Sequence, residues 1–375
     1  MESAPLTSAD YWESDEVDLR LNPRRDFDAG GLVPFLVRER GISGAVVLAT
    51  SGSSGAAKFV VLSKRALLRS ADAVIERLGM TGADVTLAGL SDFHVGGLGQ
   101  FARAHRGGGK VVDCSGQRWR RDGGPWIEAI REAGATQTSM TPTHLHDLVR
   151  NEVQCPDSMR TVLLGGGRVD PAQVSRAREL GWPIRVSYGM TEASSQVATA
   201  LDEEVEWLPV LPHWECRLDE DGRLALRGEA LFTGYARKRG GKWRFDPARD
   251  AGGWFTTSDR CELDGARLRF VGRADDSVKV SGELVSLSRL NHIAERVARR
   301  FGGEATLVAL PDPRREHRLV LVLGGIEEPD RVRIEIEAEA DRIERIDQVV
   351  GVPRLPRTEI GKVDRVAVEA IAREG

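Results

Sequence analysis

Hydrophobic and polar positions divide the chain into three regimes. Residues 1–40 are polar and charged with scattered aromatics, which predicts an irregular or partly helical lead-in, and the apolar run at 45–49 opens the ordered core. Short apolar runs at 85–89, 110–113, 136–140, 161–164 and 184–187 then alternate with helical patterns at 125–133, 143–150 and 171–180. Pro125, Pro142 and Pro171 stand at or just before the helix starts, where a missing N–H is tolerated. Gly134 and Gly181 follow the ends of the first and third.

Strands alternating with helices predict a largely parallel sheet, because parallel neighbours need a long crossover. Ligands of such sheets sit outside the carboxyl ends of the strands, so the loops after Thr50, Gly89, Met140, Leu164 and Ser187 are where chemistry is expected. Between 207 and 271 the helical period gives way to short alternating segments such as 223–227 and 267–271, with Gly and Asp turns, which predicts antiparallel strands. After Gly272 the pattern changes again, to a helix near 287–300, strands near 305–310 and 319–323, and a helix near 331–345. The expected fold is α/β: a large N-terminal domain over 1–272, mainly parallel sheet plus an antiparallel section, and a small α+β C-terminal domain over 273–375.

The length of 375 residues agrees with two unequal domains. With 53 Lys and Arg against 57 Asp and Glu, the net charge of −4 gives no basic excess for nucleic acid or an anionic membrane, and a small-molecule substrate is expected. There is no apolar run long enough to span a bilayer and no signal-peptide layout over residues 1–10, so a cytoplasmic protein is expected. Cys114, Cys155, Cys216 and Cys261 are scattered without metal-ligand spacing and are read as reduced structural thiols.

Candidate chemistry concentrates at the predicted strand ends. Thr50, Ser51, Gly52, Ser53, Ser54, Gly55 and Lys58 combine glycines that let backbone N–H groups approach, hydroxyl donors and a cation, a composition suited to phosphate. The run at 59–62 reads as a second strand, so the loop is expected to be a hairpin tip and not a Walker loop; a plain Gly/Ser turn is the alternative. Tyr188, Gly189, Met190, Thr191 and Glu192 follow another strand: a ring that can stack on a base, a tight turn, a phosphate donor and a hard oxygen ligand for magnesium, against the alternative of a tyrosine buried for packing. Gly165, Gly166 and Gly167 leave room for a flat ligand, or serve a turn needing positive φ. Asp259 offers a carboxylate suited to a vicinal diol.

In order and separation these segments resemble the motifs of the adenylate-forming (AMP-binding) superfamily, from about residue 45 to Arg365. The phosphate loop departs from the family pattern only by Ser54 for Thr and Ala57 for Pro, and Tyr188, Gly189, Thr191 and Glu192 match a second motif. The segment from Leu90 through His94 to Gly97 is similar to that of o-succinylbenzoate:CoA ligases, with Arg103 and Ser195 where those enzymes carry a cation and a serine. The resemblance implies ATP, Mg2+ and coenzyme A as cofactors and a carboxylic acid, o-succinylbenzoate first, as substrate; oligomeric state stays open. It implies Lys362, His94, Thr191 and Glu192 as catalytic residues, with Glu192 on the metal. It places Thr50–Gly55, Lys58, Gly165–Gly167, Ser187, Tyr188, Gly189, Thr191, Asp259 and Arg273 around the nucleotide, and Arg103 and Ser195 at the acid. Asp275 falls at the family's hinge, which makes the small domain mobile, and Ser281 and Gly282 on the CoA side.

Two departures bear on this reading. Only 49 residues precede Thr50, fewer than in the family, so a shortened N-terminal subdomain is expected. After Gly282 and Glu283, Leu287, Arg289 and Asn291 stand where the family has Pro, Glu and Glu, which touches the CoA step more than adenylation. A ligase for another aryl or acyl acid, or a catalytically silent nucleotide-binding homologue, are the competing readings.

Overall fold

A computed structural model describes residues 5–23, 26–51, 57–117, 119–120, 122–167, 169–201, 203–274, 277–280, 283–312, 314–358 and 361–375. The chain divides into two compact units: Met1–Asp219 with Leu224–Thr257 and Glu262–Arg269, and Glu220–Arg223 with Ser258–Cys261 and Phe270–Gly375.

All five strands expected between residues 85 and 187 are present. They form one sheet in the order Lys110–Asp113, Val85–Ala88, Gln137–Met140, Thr161–Leu164, Ile184–Met190, all parallel. Helices Val95–Gly107, Gly124–Ala133, Pro142–Arg150 and Pro171–Glu179 supply the crossovers. Asp170 caps the last of these by accepting from the Ala172 N–H at 3.0 Å. Trp126, Ile130, Leu145, Leu148, Val162, Leu164, Val174 and Trp182 are buried together, so the strands read as apolar runs because both faces are covered.

The sheet differs from expectation at its edge. The strand expected to end at Ser187 continues to Met190, and Ser195–Thr199 returns antiparallel to it, with a bulge between Tyr188 and Gly189. The reversal needs left-handed backbone at Ser194 (φ 50°) and an unusual φ of 113° at Ser195, neither of them glycine, so the sequence carries no turn signal there.

A second sheet has the order Val17–Arg20, Ala45–Ser51, Ala57–Ser63, Gly234–Arg239, Lys242–Asp246. The lead-in is thus more ordered than its composition predicts. Helix Ala9–Glu13 is followed by a strand parallel to Ala45–Ser51, and Asp18 accepts from Tyr11 Oη at 2.8 Å and Arg20 Nε at 2.6 Å. Polar composition there reflects side chains paired with each other. Helix Lys64–Leu78 follows the hairpin, capped by Ser63 at one end and Gly79 at the other.

The predicted antiparallel section is present as a sheet in the order Leu208–Pro209, Arg267–Arg273, Phe255–Asp264, Arg223–Arg227, Glu215–Leu218. In the second unit, Glu304–Asp312, Glu316–Gly324 and Gln348–Val352 form a sheet with helices Leu287–Arg300, Pro329–Glu337 and Arg365–Glu374. Leu319, Leu321 and Leu323 pack with Leu290 and Val297, while the alternate Val320 and Val322 pack with Val368 and Ala372. The helix expected near 331–345 stops at Glu337. Asp341 and Glu344 form a capping box for a separate 3-10 turn, and Glu337 accepts from the Ile346 N–H at 3.0 Å.

Candidate functional site

The strands on either side of residues 52–56 pair antiparallel, Thr50 with Lys58 and Ser51 with Ala57, and Thr50 Oγ1 donates to the Lys58 carbonyl at 3.3 Å. Gly52, Ser53, Ser54 and Gly55 lie outside the described residues. Lys58 Nζ is 3.6 Å from Glu192 Oε1 and 3.6 Å above the ring of Tyr235.

Glu192 belongs to the 3-10 turn Thr191–Ala193 that follows the extended Ile184–Met190 strand. Tyr188 and Gly189 are therefore strand residues and not loop residues. Gly189 is required there, because a Cβ would lie 1.7 Å from the Ser195 carbonyl oxygen. Tyr188 is half-buried and packs on the main core, so packing, the alternative reading of this residue, is part of its role. Tyr235 Oη donates to Glu192 Oε1 at 2.8 Å; burial first, then the Glu192 charge, raise its pKa and keep it a donor. Gly165 lies against Ser187, whose Oγ donates to the Leu164 carbonyl at 3.2 Å, and Gly166 adopts φ 79°.

Arg103 is on the helix Val95–Gly107 and is 4 % exposed. Its Nη2 donates to Ser139 Oγ at 3.0 Å, and no carboxylate pairs with it among the described residues. Burial alone lowers its pKa to about 10. A Cβ on Gly99 would stand 3.2 Å from Arg103 Nη1 and 3.5 Å from Ser195 Oγ, so these two predicted substrate groups converge over a bare glycine. His94 is half-buried immediately before the helix, its carbonyl accepting from the Gly97 and Leu98 N–H groups at 3.0 Å and its ring 4.8 Å from Phe93.

In the second unit, Arg273 Nη1 is 3.2 Å from Oδ1 of the buried Asp259. Lys362 sits in a narrow turn closed by Thr358 N–H to its carbonyl at 2.7 Å and by the Arg357–Val363 bridge. The residue as a whole is exposed, while burial of its ammonium end, and then the charge of Arg273, lower its pKa. Asp275, Ser281 and Gly282 lie outside the described residues. Asn291, one of the departures from the family pattern, clamps the Leu307 backbone, accepting from its N–H at 2.6 Å and donating to its carbonyl at 3.0 Å.

Tyr235, Ser139 and Gly99 were not singled out by sequence. Tyr235 lies 43 positions from Glu192 and Ser139 lies 36 from Arg103. Gly99 carries the one available signal, a glycine inside a helical pattern, where it is costly unless space demands it. No described helix is long and apolar enough to cross a membrane. The cysteines are free thiols.

A parallel sheet with polar residues gathered at the carboxyl ends of its strands defines an α/β fold of the ligand-binding kind. Residues 35–236, more than half of the chain, match the AMP-binding enzyme family, and the chain belongs to that family. It is similar to the 2-succinylbenzoate--CoA ligase of Salmonella typhimurium, 30% identical over 302 residues that make up 80% of this chain and 62% of that protein. The chain thus spans less than two thirds of that relative's length. Among solved structures, a substituted E. coli MenE with bound OSB-AMS superposes with a TM-score of 0.70 at 26% identity, over 88% of this chain and 69% of that one. The o-succinylbenzoate coenzyme A synthetase of Bacillus subtilis in complex with AMP gives a TM-score of 0.72 at 25% identity, over 86% and 68% of the two chains.

Proposed function

We propose that this protein is an ATP-dependent carboxylate:CoA ligase whose acid is o-succinylbenzoate. The observation that carries the choice of acid is Arg103: a buried guanidinium with a single hydroxyl partner and no carboxylate among the described residues. An uncompensated buried charge is costly, and a substrate carboxylate would offset that cost. o-Succinylbenzoate has two carboxylates, one to be activated and one to be held, and a planar guanidinium suits the second.

In the first step an oxygen of the succinyl carboxylate attacks the α-phosphorus of ATP, and the bond to the pyrophosphate oxygen breaks. In the second, the CoA thiolate sulfur attacks the acyl carbon, and the bond to AMP breaks. The hairpin residues Thr50–Gly55 and Lys58 hold the phosphates, with Thr191 as a further donor. Gly165–Gly167, Ser187, Tyr188 and Gly189 receive the adenine, Asp259 and Arg273 the ribose, and Ser195 and Arg103 the acid. His94 flanks the acid, and Lys362 stabilises charge at the transferring phosphate. Glu192 fits a magnesium ion arriving with ATP, because its carboxylate is a hard oxygen donor fixed in place by the Tyr235 hydroxyl beside Lys58. Bound there, the ion neutralises phosphate charge. Residues 1–272 serve as the adenylation domain and 273–375 as the small domain, with Asp275 in the hinge role and Ser281 and Gly282 in the CoA-side role that the family resemblance implies. A requirement for ATP and CoA supports a cytoplasmic location.

The test is pyrophosphate release from MgATP with a panel of acids, followed by thioester formation with CoA. o-Succinylbenzoate is expected to exceed benzoate and simple acyl acids in kcat/KM. A preference for a monocarboxylate refutes the choice of acid, and no release with any acid refutes the ligase reading.

A further inference from the structure

Lys58 and Glu192 are brought together by a third side chain. Tyr235 lies opposite Val60 in the antiparallel pairing of Gly234–Arg239 with Ala57–Ser63, so Lys58, two residues away, is its diagonal neighbour on one face. The Tyr235 ring receives Lys58 Nζ 3.6 Å above its centroid, and its hydroxyl donates to Glu192 Oε1 at 2.8 Å. The strand is tied to the same turn a second time, by the Phe232 N–H to the Glu192 carbonyl at 2.8 Å. Tyr235 is 4 % exposed and packs against Phe232, with ring centroids 4.6 Å apart, so its two contacts are fixed together.

Lys58 and Glu192 form an ion pair at 3.6 Å, longer than a hydrogen bond, and opposite charges at partly desolvated positions would otherwise close further. A direct hydrogen-bonded pair would compete with phosphates for the ammonium and with a cation for the carboxylate. Tyr235 engages each charge with a different part of one side chain. The face of the ring attracts the ammonium, and the hydroxyl satisfies one carboxylate oxygen. Lys58 Nζ stays 3.6 Å from Oε1.

We propose that Tyr235 is a positioning residue of the nucleotide site, holding Lys58 and Glu192 in a long ion pair, short of a direct hydrogen bond, so that Lys58 is presented to the phosphates and Glu192 to their cation. The proposal rests on the nucleotide reading above and adds to it a residue that acts through two others.

Calorimetric titration of MgATP, and of AMP without divalent cation, tests it on the parent, Tyr235→Phe, Glu192→Gln and the double variant. Phenylalanine keeps the ring and packing and loses only the hydroxyl. Tyr235→Phe is expected to raise the Kd for MgATP about tenfold, the scale of a hydrogen bond to a charged group, and to change that for cation-free AMP by less than about twofold. In the Glu192→Gln background the same substitution is expected to add little, because the two residues form one unit. Tyr235→Leu, which also removes the ring under Lys58, is expected to bind MgATP more weakly than Tyr235→Phe. Unchanged MgATP affinity in Tyr235→Phe, equal losses for MgATP and AMP, or an undiminished effect in the Glu192→Gln background each overturns the proposal. A parent that binds no MgATP overturns the nucleotide reading itself.

Discussion

Gly99 and Arg103 sit one helical turn apart on the same face, and a methyl group on Gly99 would begin 3.2 Å from Arg103 Nη1 and 3.5 Å from Ser195 Oγ. The glycine is the space into which both polar groups point. Alanine in a helix interior is worth about 0.5–1 kcal/mol over glycine, so Gly99→Ala is expected to hold or raise Tm. It is also expected to raise KM for o-succinylbenzoate by roughly three- to tenfold, since the added methyl costs one displaced contact of about 1 kcal/mol, and to leave KM for ATP unchanged. Stability and acid binding moving in opposite directions is the signature; an unaltered KM for the acid would mean that the space is not used.

Arg103→Met tests the same pocket from the other side. Methionine fills similar volume without a charge, and removing a buried ion that lacks a protein counter-charge relieves a folding cost on the order of 1–3 kcal/mol. Tm of the free protein is expected to rise. Loss of a desolvated charge pair with substrate costs roughly 2–4 kcal/mol, so KM for o-succinylbenzoate is expected to rise tenfold or more with KM for ATP nearly unchanged. Binding of the acid equal to the parent would remove Arg103 from the site.

Lys362→Ala is expected to abolish pyrophosphate release while sparing thioester formation from supplied acyl-AMP, since the lysine acts at the transferring phosphate. Its lowered pKa adds a pH test. The charged form is the protonated one, so adenylation is expected to fall as pH rises, with a midpoint below the ordinary lysine value. Lys362→Arg keeps its charge and is expected to retain whatever activity it has to higher pH. Identical alkaline limbs for the two proteins would assign the limb to another group.

How far the sequence carried this reading depended on the range of the interactions. The five parallel strands are legible because each is a short apolar run closed by Gly, Pro or Asp signals that act locally. Ser195–Thr199 is not, because its reversal is made by two serines held in left-handed or extended positive-φ backbone by pairing with Ile184–Met190. The strand Val17–Arg20 hides in polar sequence, since its charges are satisfied by Tyr11, Asp18 and Asp92. In the site, Arg103, Lys58 and Glu192 could be named from motif positions. Tyr235 and Ser139 could not, because their relevance is a cross-strand diagonal and a strand-to-helix contact that exist only after folding.

His144 gives a prediction about folding that is independent of the substrate. Its Nδ1 accepts from the Thr141 N–H at 3.4 Å, and its ring packs against Trp119 at 4.4 Å and Trp126 at 5.0 Å, themselves in contact. Burial lowers its pKa to about 4, from an unfolded value near 6.5. The unfolded chain therefore binds this proton first as pH falls. The stability contributed by neutral His144 is fully present above about pH 6.5 and is lost progressively toward pH 4, when protonation also removes the acceptor. His144→Gln keeps an acceptor at the third helical position, the arrangement of a capping box, without a titrating group. Denaturant unfolding from about pH 8 to pH 4 is expected to show the parent losing roughly 1–3 kcal/mol more than His144→Gln, with the divergence confined to the acid half of the range. His213, which burial also lowers to about 4, titrates in both proteins and cancels in the difference. Parallel stability curves would show that the His144 ring meets water in the native state and that the Trp119–Trp126 cluster does not exclude it.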